Sequence, residues 1–251
     1  MATHAEQQFH QDFNQNVKAL ESARKNLNQR INHCLRKSDF DSLRIYTKLY
    51  ALLYCAWAEA NLVKIVHTPF GFSEDEKKHI LQPRDVVEKW IRCMNTAFAK
   101  FKQRTNSSEI PNKKRKINKL IKQYIETPRE LRNKIAHGQW EFPLESNNIK
   151  PATDVKISLD TIDIIQIDIW FDVSKSLSNI VLGLVDARNT TNNQGYKAHY
   201  HFYEEHLSNI ETILKERQKW TIHSKIDRLQ QKPIPTGINS DGMLAVQKKK
   251  K

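Results

Sequence analysis

The chain has 251 residues, enough to bury a substantial core in one large domain. Only six Gly and eight Pro argue against the turn-dense pattern of a β-sandwich and for an all-α fold. Its 41 Lys and Arg against 28 Asp and Glu give a formal charge of +13, which favours a polyanionic partner, either nucleic acid or an anionic membrane surface.

Residues 1–12 are polar and lack the apolar core of a signal peptide. No run is expected to reach the apolar length of a membrane span, so the chain is expected to be cytoplasmic. Phe9, Phe13, Val17, Leu20, Leu27, Ile31 and Leu35 recur in three- and four-residue steps, which predicts a long helix over 5–36. Ser38 and Asp39 to Asp41 offer N-cap chemistry for a second stripe, Leu43, Tyr46, Leu49, Leu53, Trp57, Ala60 and Val63, ending near His67. Its residues are apolar nearly all round from Leu49 to Val66, which predicts a central helix. Pro83 and Asp85 open a third helix through Val87, Trp90, Ile91, Met94 and Phe98, and 105–112 reads as an exposed loop.

Lys113-Lys114-Arg115-Lys116 leads into Ile117, Leu120, Ile121 and Tyr124, a basic amphipathic helix. A second start follows at once. Thr127 reads as an N-cap, Pro128 as the first helical residue and Glu130 as the third after the cap. Gly138 supplies a left-handed stop, so the short helix ends on His137. Asn133 and His137, four apart, share one face, Arg132 flanks it, and Leu131 and Ile135 form an apolar pair that anchors the helix. A fixed cation, an imidazole and an amide held together are the parts that activate a ribose 2′-OH and stabilise a phosphorane without a metal.

Trp140 to Phe142 and Val155 to Ile157 are expected to pair as a small β-hairpin across a polar loop. Asp160 is expected to cap a helix with the stripe Ile162, Ile165, Ile169, Val173, Leu177, Ile180 and Leu184. Asn192 to Gly195 reads as a turn before a last helix through Tyr203, Leu207, Ile210 and Leu214, reaching as far as Leu229. The organisation expected is one helical domain over 1–230, with its core at about 40–190, and a flexible basic tail over 231–251. Cys34, Cys55 and Cys93 are odd in number and lack CxxC spacing, which fits reduced core thiols.

The run Arg132-Asn133-Lys134-Ile135-Ala136-His137 resembles the Arg-x4–6-His motif of the HEPN ribonucleases, including the Asn that often follows the Arg. Tyr54-Cys55-Ala56-Trp57-Ala58-Glu59 is similar to the aromatic-acid segment of toxin and defence branches of that family. The resemblance implies a helical bundle in which two protomers bring their motifs together as a homodimer with a composite site. It implies metal-independent RNA cleavage to a 2′,3′-cyclic phosphate, with no cofactor and with an antitoxin or defence protein as a further partner. Arg132 would hold the scissile phosphate, His137 would act as general base or acid, Asn133 would position them, and Glu59 would reach the site beside Arg132.

Lys113, Lys114, Arg115, Lys116 and Lys119, with Lys134 on the motif helix, are the expected RNA-tracking cations, and a solvated face is the plain alternative. His199, His201 and His206 are metal-ligand types, but His199 and His201 diverge on a helix and no CxxC or HExxH supports a metal. GxxxxGK[ST], GxGxxG and GxSxG are all absent, so nucleotide hydrolysis, a Rossmann cofactor and α/β-hydrolase chemistry have no support in the sequence. The competing reading is a non-catalytic helical module that binds RNA or protein through the same basic surface. A third is attachment of the basic helix to anionic lipid.

Overall fold

The computed structural model describes residues 4–104, 109–145, 147, 149–187, 193–217 and 219–231, and among them the chain is helical with no strand. The first helix, α1 (His4–Lys37), turns at Ser38, which adopts a left-handed φ of 54°, and returns as α2 (Phe40–Val66). Asp39 caps α2 as the sequence predicts, its carboxylate accepting from Ser42 N at 3.2 Å.

The second helix is central because other helices cover it on several sides: α1, α4 (Val86–Arg104), α6 (Thr127–Ala136) and α8 (Ile164–Ala187). Tyr50, Tyr54, Trp57 and Leu62 are buried along it. Contrary to the sequence expectation, α2 is long and apolar enough to cross a membrane by length and composition. Half of that apolar window is buried inside the fold, and the helix carries the buried polar residues Lys48 and Asn61.

A helix that periodicity missed, α3 (Glu74–Leu81), starts at a capping box in which Ser73 and Glu76 each bond the other's backbone N–H. Asp85 opens α4, its Oδ1 accepting from Val87 N at 2.7 Å. The loop expected at 105–112 is shorter than predicted: 105–108 lie outside the described residues, and α5 (Ile110–Ile121) has already begun at Ile110. Pro111 sits in its first turn, where a missing N–H costs nothing, and Ile110 is buried.

The fresh start expected at Thr127 does not occur. A π-helical segment, Lys122–Glu126, joins α5 to α6, and Thr127 is helical, with its N–H bonded to Lys122 O. Pro128 is the physical cause. Its ring would collide with the carbonyl of Tyr124 in a regular α ladder, and it has no N–H to offer that carbonyl, so a wider turn is favoured there.

The β-hairpin is also corrected. A single antiparallel bridge joins Leu144 to Pro151, flanked by bonds from Glu145 N to Lys150 O at 2.8 Å and Ala152 N to Pro143 O at 2.9 Å. Prolines at 143 and 151 cannot donate to a longer ladder. Val155 to Ile157 lie in α7 (Thr153–Thr161), where Val155 and the buried Leu159 fall four apart, and α7 packs on α6. Asp160 pairs with Lys156 at 2.9 Å inside α7, so Asp163 rather than Asp160 caps α8, accepting from Gln166 N at 2.8 Å.

The turn expected at 192–195 is helical from Asn193, where α9 (Asn193–Arg217) begins, and Asn192 lies outside the described residues. The expected single last helix breaks after Arg217, and α10 (Ile222–Gln231) folds onto α1. A charge network holds it there. Tyr50 donates to Asp168 at 2.7 Å and accepts from Arg24 Nε at 3.1 Å, Lys225 reaches Asp168 at 3.0 Å, and Arg217 reaches Asp172 at 2.7 Å. Of the basic tail, 232–251 lie outside the described residues. Buried side chains of α1 to α9 form one cluster, and Cys34, Cys55 and Cys93 form no disulfide.

Candidate active site

Leu131 and Ile135 are buried, 4% and 2% exposed, and fix the inner face of α6. Gly138 at φ +76° ends the helix in a Schellman arrangement, with Gly138 N bonding Ile135 O at 3.1 Å and Gln139 N bonding Lys134 O at 2.9 Å. The indole of Trp140 donates to Ile135 O at 2.8 Å. Lys48, buried in α2, donates to Trp140 O at 2.6 Å and pairs with Glu141 at 2.8 Å. The bond from Lys48 also holds the Glu141 carboxyl below its ordinary value. The segment that follows the motif is thereby tied to the central helix, and the end of α6 is held in place.

Tyr54 fixes the other end. Its hydroxyl donates to Tyr124 O, the carbonyl to which Pro128 cannot supply the regular α-helical N–H, and lies 2.6 Å from Ser174 Oγ. Burial pushes this phenol's pKa well up, so it stays a donor.

Between α2, the start of α4 and α6 lies a cleft of about 310 Å³. Glu59, Arg132 and Asn133 all line it. Arg132 Nη1 donates to Asn133 Oδ1 at 3.0 Å, and Arg132 Nη2 stands 4.0 Å from Glu59 Oε2. Lys89 approaches the other Glu59 oxygen at 4.0 Å. Glu59 is 43% exposed, so it is an open carboxylate at the mouth of the cleft and not a buried charge.

His137 occupies the C-cap position of α6, with φ −91° and ψ 17°. Its side chain is exposed, does not line the cleft, and has no side-chain hydrogen bond among the described residues. Within the chain the motif is therefore split: arginine and amide line the cleft, while the imidazole stands outside it.

Three cleft residues escaped the sequence reading. Arg84 and Asp85 come from the start of α4, and Arg129 precedes Arg132 by three residues, a same-face spacing that could have been read. Arg129 forms an ion pair with Asp85. Cys55 also lines the cleft, with its thiol directed to Pro128 O at 3.5 Å. Burial pushes that thiol up to about 12, which keeps it protonated and a poor nucleophile at neutral pH.

The expected RNA-tracking cations divide into two groups. Lys113 lies 3.7 Å from both Glu109 and Glu204 and over the Tyr203 ring at 4.6 Å, and Lys114 lies over the Phe98 ring at 5.6 Å. Both are engaged in packing. Burial lowers the Lys113 ammonium below the usual lysine value. Arg115, Lys116 and Lys119 are exposed on α5. Lys134 is half-buried and donates to Leu144 O, so its role is to hold the chain after the motif. The side chains of His199 and His201 lie outside the described residues, and His206 packs edge-on against Phe202 at 4.3 Å. Among the described residues no three His, Cys, Asp or Glu side chains converge as metal ligands. Comparison with protein-family models, with curated proteins and with solved structures returned no match.

Proposed function

We propose that the chain is a metal-independent endoribonuclease of HEPN type, acting as a toxin or antiphage effector. The observation that carries this reading is the convergence of Arg132, Asn133 and Glu59 on one open cleft, on a motif helix locked at both ends. In the reaction the ribose 2′-oxygen attacks the adjacent phosphorus and gives its proton to an imidazole. The bond from phosphorus to the 5′-oxygen breaks, and that oxygen leaves with the proton that the imidazolium gives back. Arg132 neutralises the charge that builds on the phosphorane, Asn133 holds the guanidinium in register, and Glu59 orients it from the opposite side. His137 serves as the proton-transfer group. Because His137 stands outside its own protomer's cleft, the reading requires a homodimer in which a second protomer brings its imidazole to the site.

The same position of His137 favours a second reading, a non-catalytic module that binds RNA or protein. Incubation of wild type and His137→Ala with total RNA in EDTA, followed by end-group analysis, separates the two. Ribonuclease action gives fragments with cyclic phosphate ends from wild type alone. Equal inertness of both proteins on several RNAs, with binding retained, sinks the enzyme and leaves the module.

A further inference from the structure

The cleft holds more positive charge than the motif explains. Arg84, Arg129 and Arg132 all line it, against the two carboxylates Glu59 and Asp85. The arginines differ in how they are engaged. Arg132 is occupied by Asn133 and stands near Glu59. Arg129 is held by Asp85, whose other oxygen is fixed by the backbone at the start of α4. Its guanidinium is 28% exposed and lines the cleft beside that carboxylate. Arg84 is exposed and, among the described residues, makes no ion pair or hydrogen bond.

An unpaired guanidinium and a second one aimed by an aspartate, both lining one cleft, make a receptor for a bidentate oxyanion, which arginine forks match in geometry. Apolar surface from Ala58, Val86 and Ile125 lines the same cleft, and a volume of about 310 Å³ falls at the small end of ligand pockets. Those dimensions and that mix of charge and apolar wall suit one nucleotide unit.

We infer that Arg84 and Arg129 form a second phosphate-binding subsite in this cleft, distinct from Arg132, which takes a phosphate flanking the one that Arg132 holds. Asp85 is its positioning residue. That the phosphate belongs to an RNA strand rests on the ribonuclease reading. The presence of the anion subsite does not.

The test is titration of the full-length chain with adenosine 3′,5′-bisphosphate, with adenosine as the phosphate-free control, in EDTA and low salt. Variants are Arg84→Ala and Arg84→Lys, both at an exposed position where folding should be kept, which circular dichroism checks. The expected result is binding by wild type, a loss of about tenfold in Arg84→Ala, partial retention in Arg84→Lys, and far weaker binding of adenosine. With a short single-stranded RNA, the slope of log affinity against log salt should fall by roughly 0.7 in Arg84→Ala. Bisphosphate binding that is absent, or equal in wild type and Arg84→Ala, or matched by adenosine, overturns the subsite. Arg84-dependent bisphosphate binding by a chain that neither binds nor cuts RNA keeps the subsite and sinks the ribonuclease.

Discussion

The Tyr54 hydroxyl donates to the carbonyl of Tyr124, the backbone acceptor that Pro128 cannot serve. The proline, the π-turn and the tyrosine form one unit: the proline removes a donor, the turn moves the carbonyl aside, and a buried phenol on the central helix supplies the missing bond. Tyr54→Phe leaves Tyr124 O and Ser174 Oγ without that partner in the core, at a cost of about 1–3 kcal/mol in urea unfolding. In a Pro128→Ala background residue 128 regains an N–H, and the penalty of Tyr54→Phe should shrink by about 1 kcal/mol. Strict additivity in that double-mutant cycle removes the proposed link.

Gly138 offers a cleaner test, because an added Cβ would meet nothing within 4 Å and only the left-handed φ of +76° opposes a side chain. Gly138→Ala should cost about 1–2 kcal/mol, and Gly138→Asn clearly less, since Asn tolerates that region. Equal costs for the two variants would show that something other than backbone strain holds this turn.

Helix ends were legible where one residue specifies them locally. Asp39, Asp85 and Gly138 act as their residue types predict. The errors come where two local signals compete. Thr127 and Glu130 argue for a new helix, yet the carbonyl ladder continues from α5 because the buried residues Ile121, Tyr124 and Ile125 bind both helices to one core. Val155 to Ile157 are good strand formers, but the prolines around the bridge stop a ladder and the burial of Leu159 rewards a helix. Among the residues that line the cleft, Arg132, Asn133 and Glu59 carried a signal in the sequence, the motif and the aromatic-acid segment. Arg84 and Asp85 carried none that pointed to the cleft, since they reach it only through the packing of α4 against the π-turn and α2, a relation that no spacing in the chain encodes.

The contact between the start of α1 and the end of α2 should respond to pH. His67 stacks on Phe13 at 4.7 Å, and burial first, then Lys77, lowers its pKa from 6.5. His10 is lowered in the same way by burial and then by Lys64, while Glu74 acts on His67 in the opposite direction. A folded-state value below the unfolded one means that the unfolded chain takes up protons first. The stability is therefore complete above pH about 6.5 and is lost as pH falls from there through the folded-state values. His206, which burial also lowers, adds the same trend, so the comparison must be with a variant. Urea midpoints measured at pH 7.5 and 5.5 should fall for wild type and fall less for His67→Phe, which keeps the stack and cannot titrate. A pH dependence unchanged by that substitution would mean that His67 is not the group being read.

The split motif makes the strongest demand on the proposed function. If Arg132 of one protomer acts with His137 of another, Arg132→Ala and His137→Ala homodimers each lack one member at every site and should both be inactive. Mixing them under exchange produces heterodimers in which one of the two composite sites has both residues intact. With random pairing, RNA cleavage in EDTA should recover to roughly a quarter of the wild-type rate. A site assembled within a single chain gives no recovery, because neither mutant carries a complete set. Arg132→Lys in place of Arg132→Ala adds a chemical check: a lysine keeps the charge but loses the fork that Asn133 holds, so it should restore little. Recovery on mixing would establish that the exposed position of His137, outside the lining of its own chain's cleft, makes cleavage depend on dimer formation.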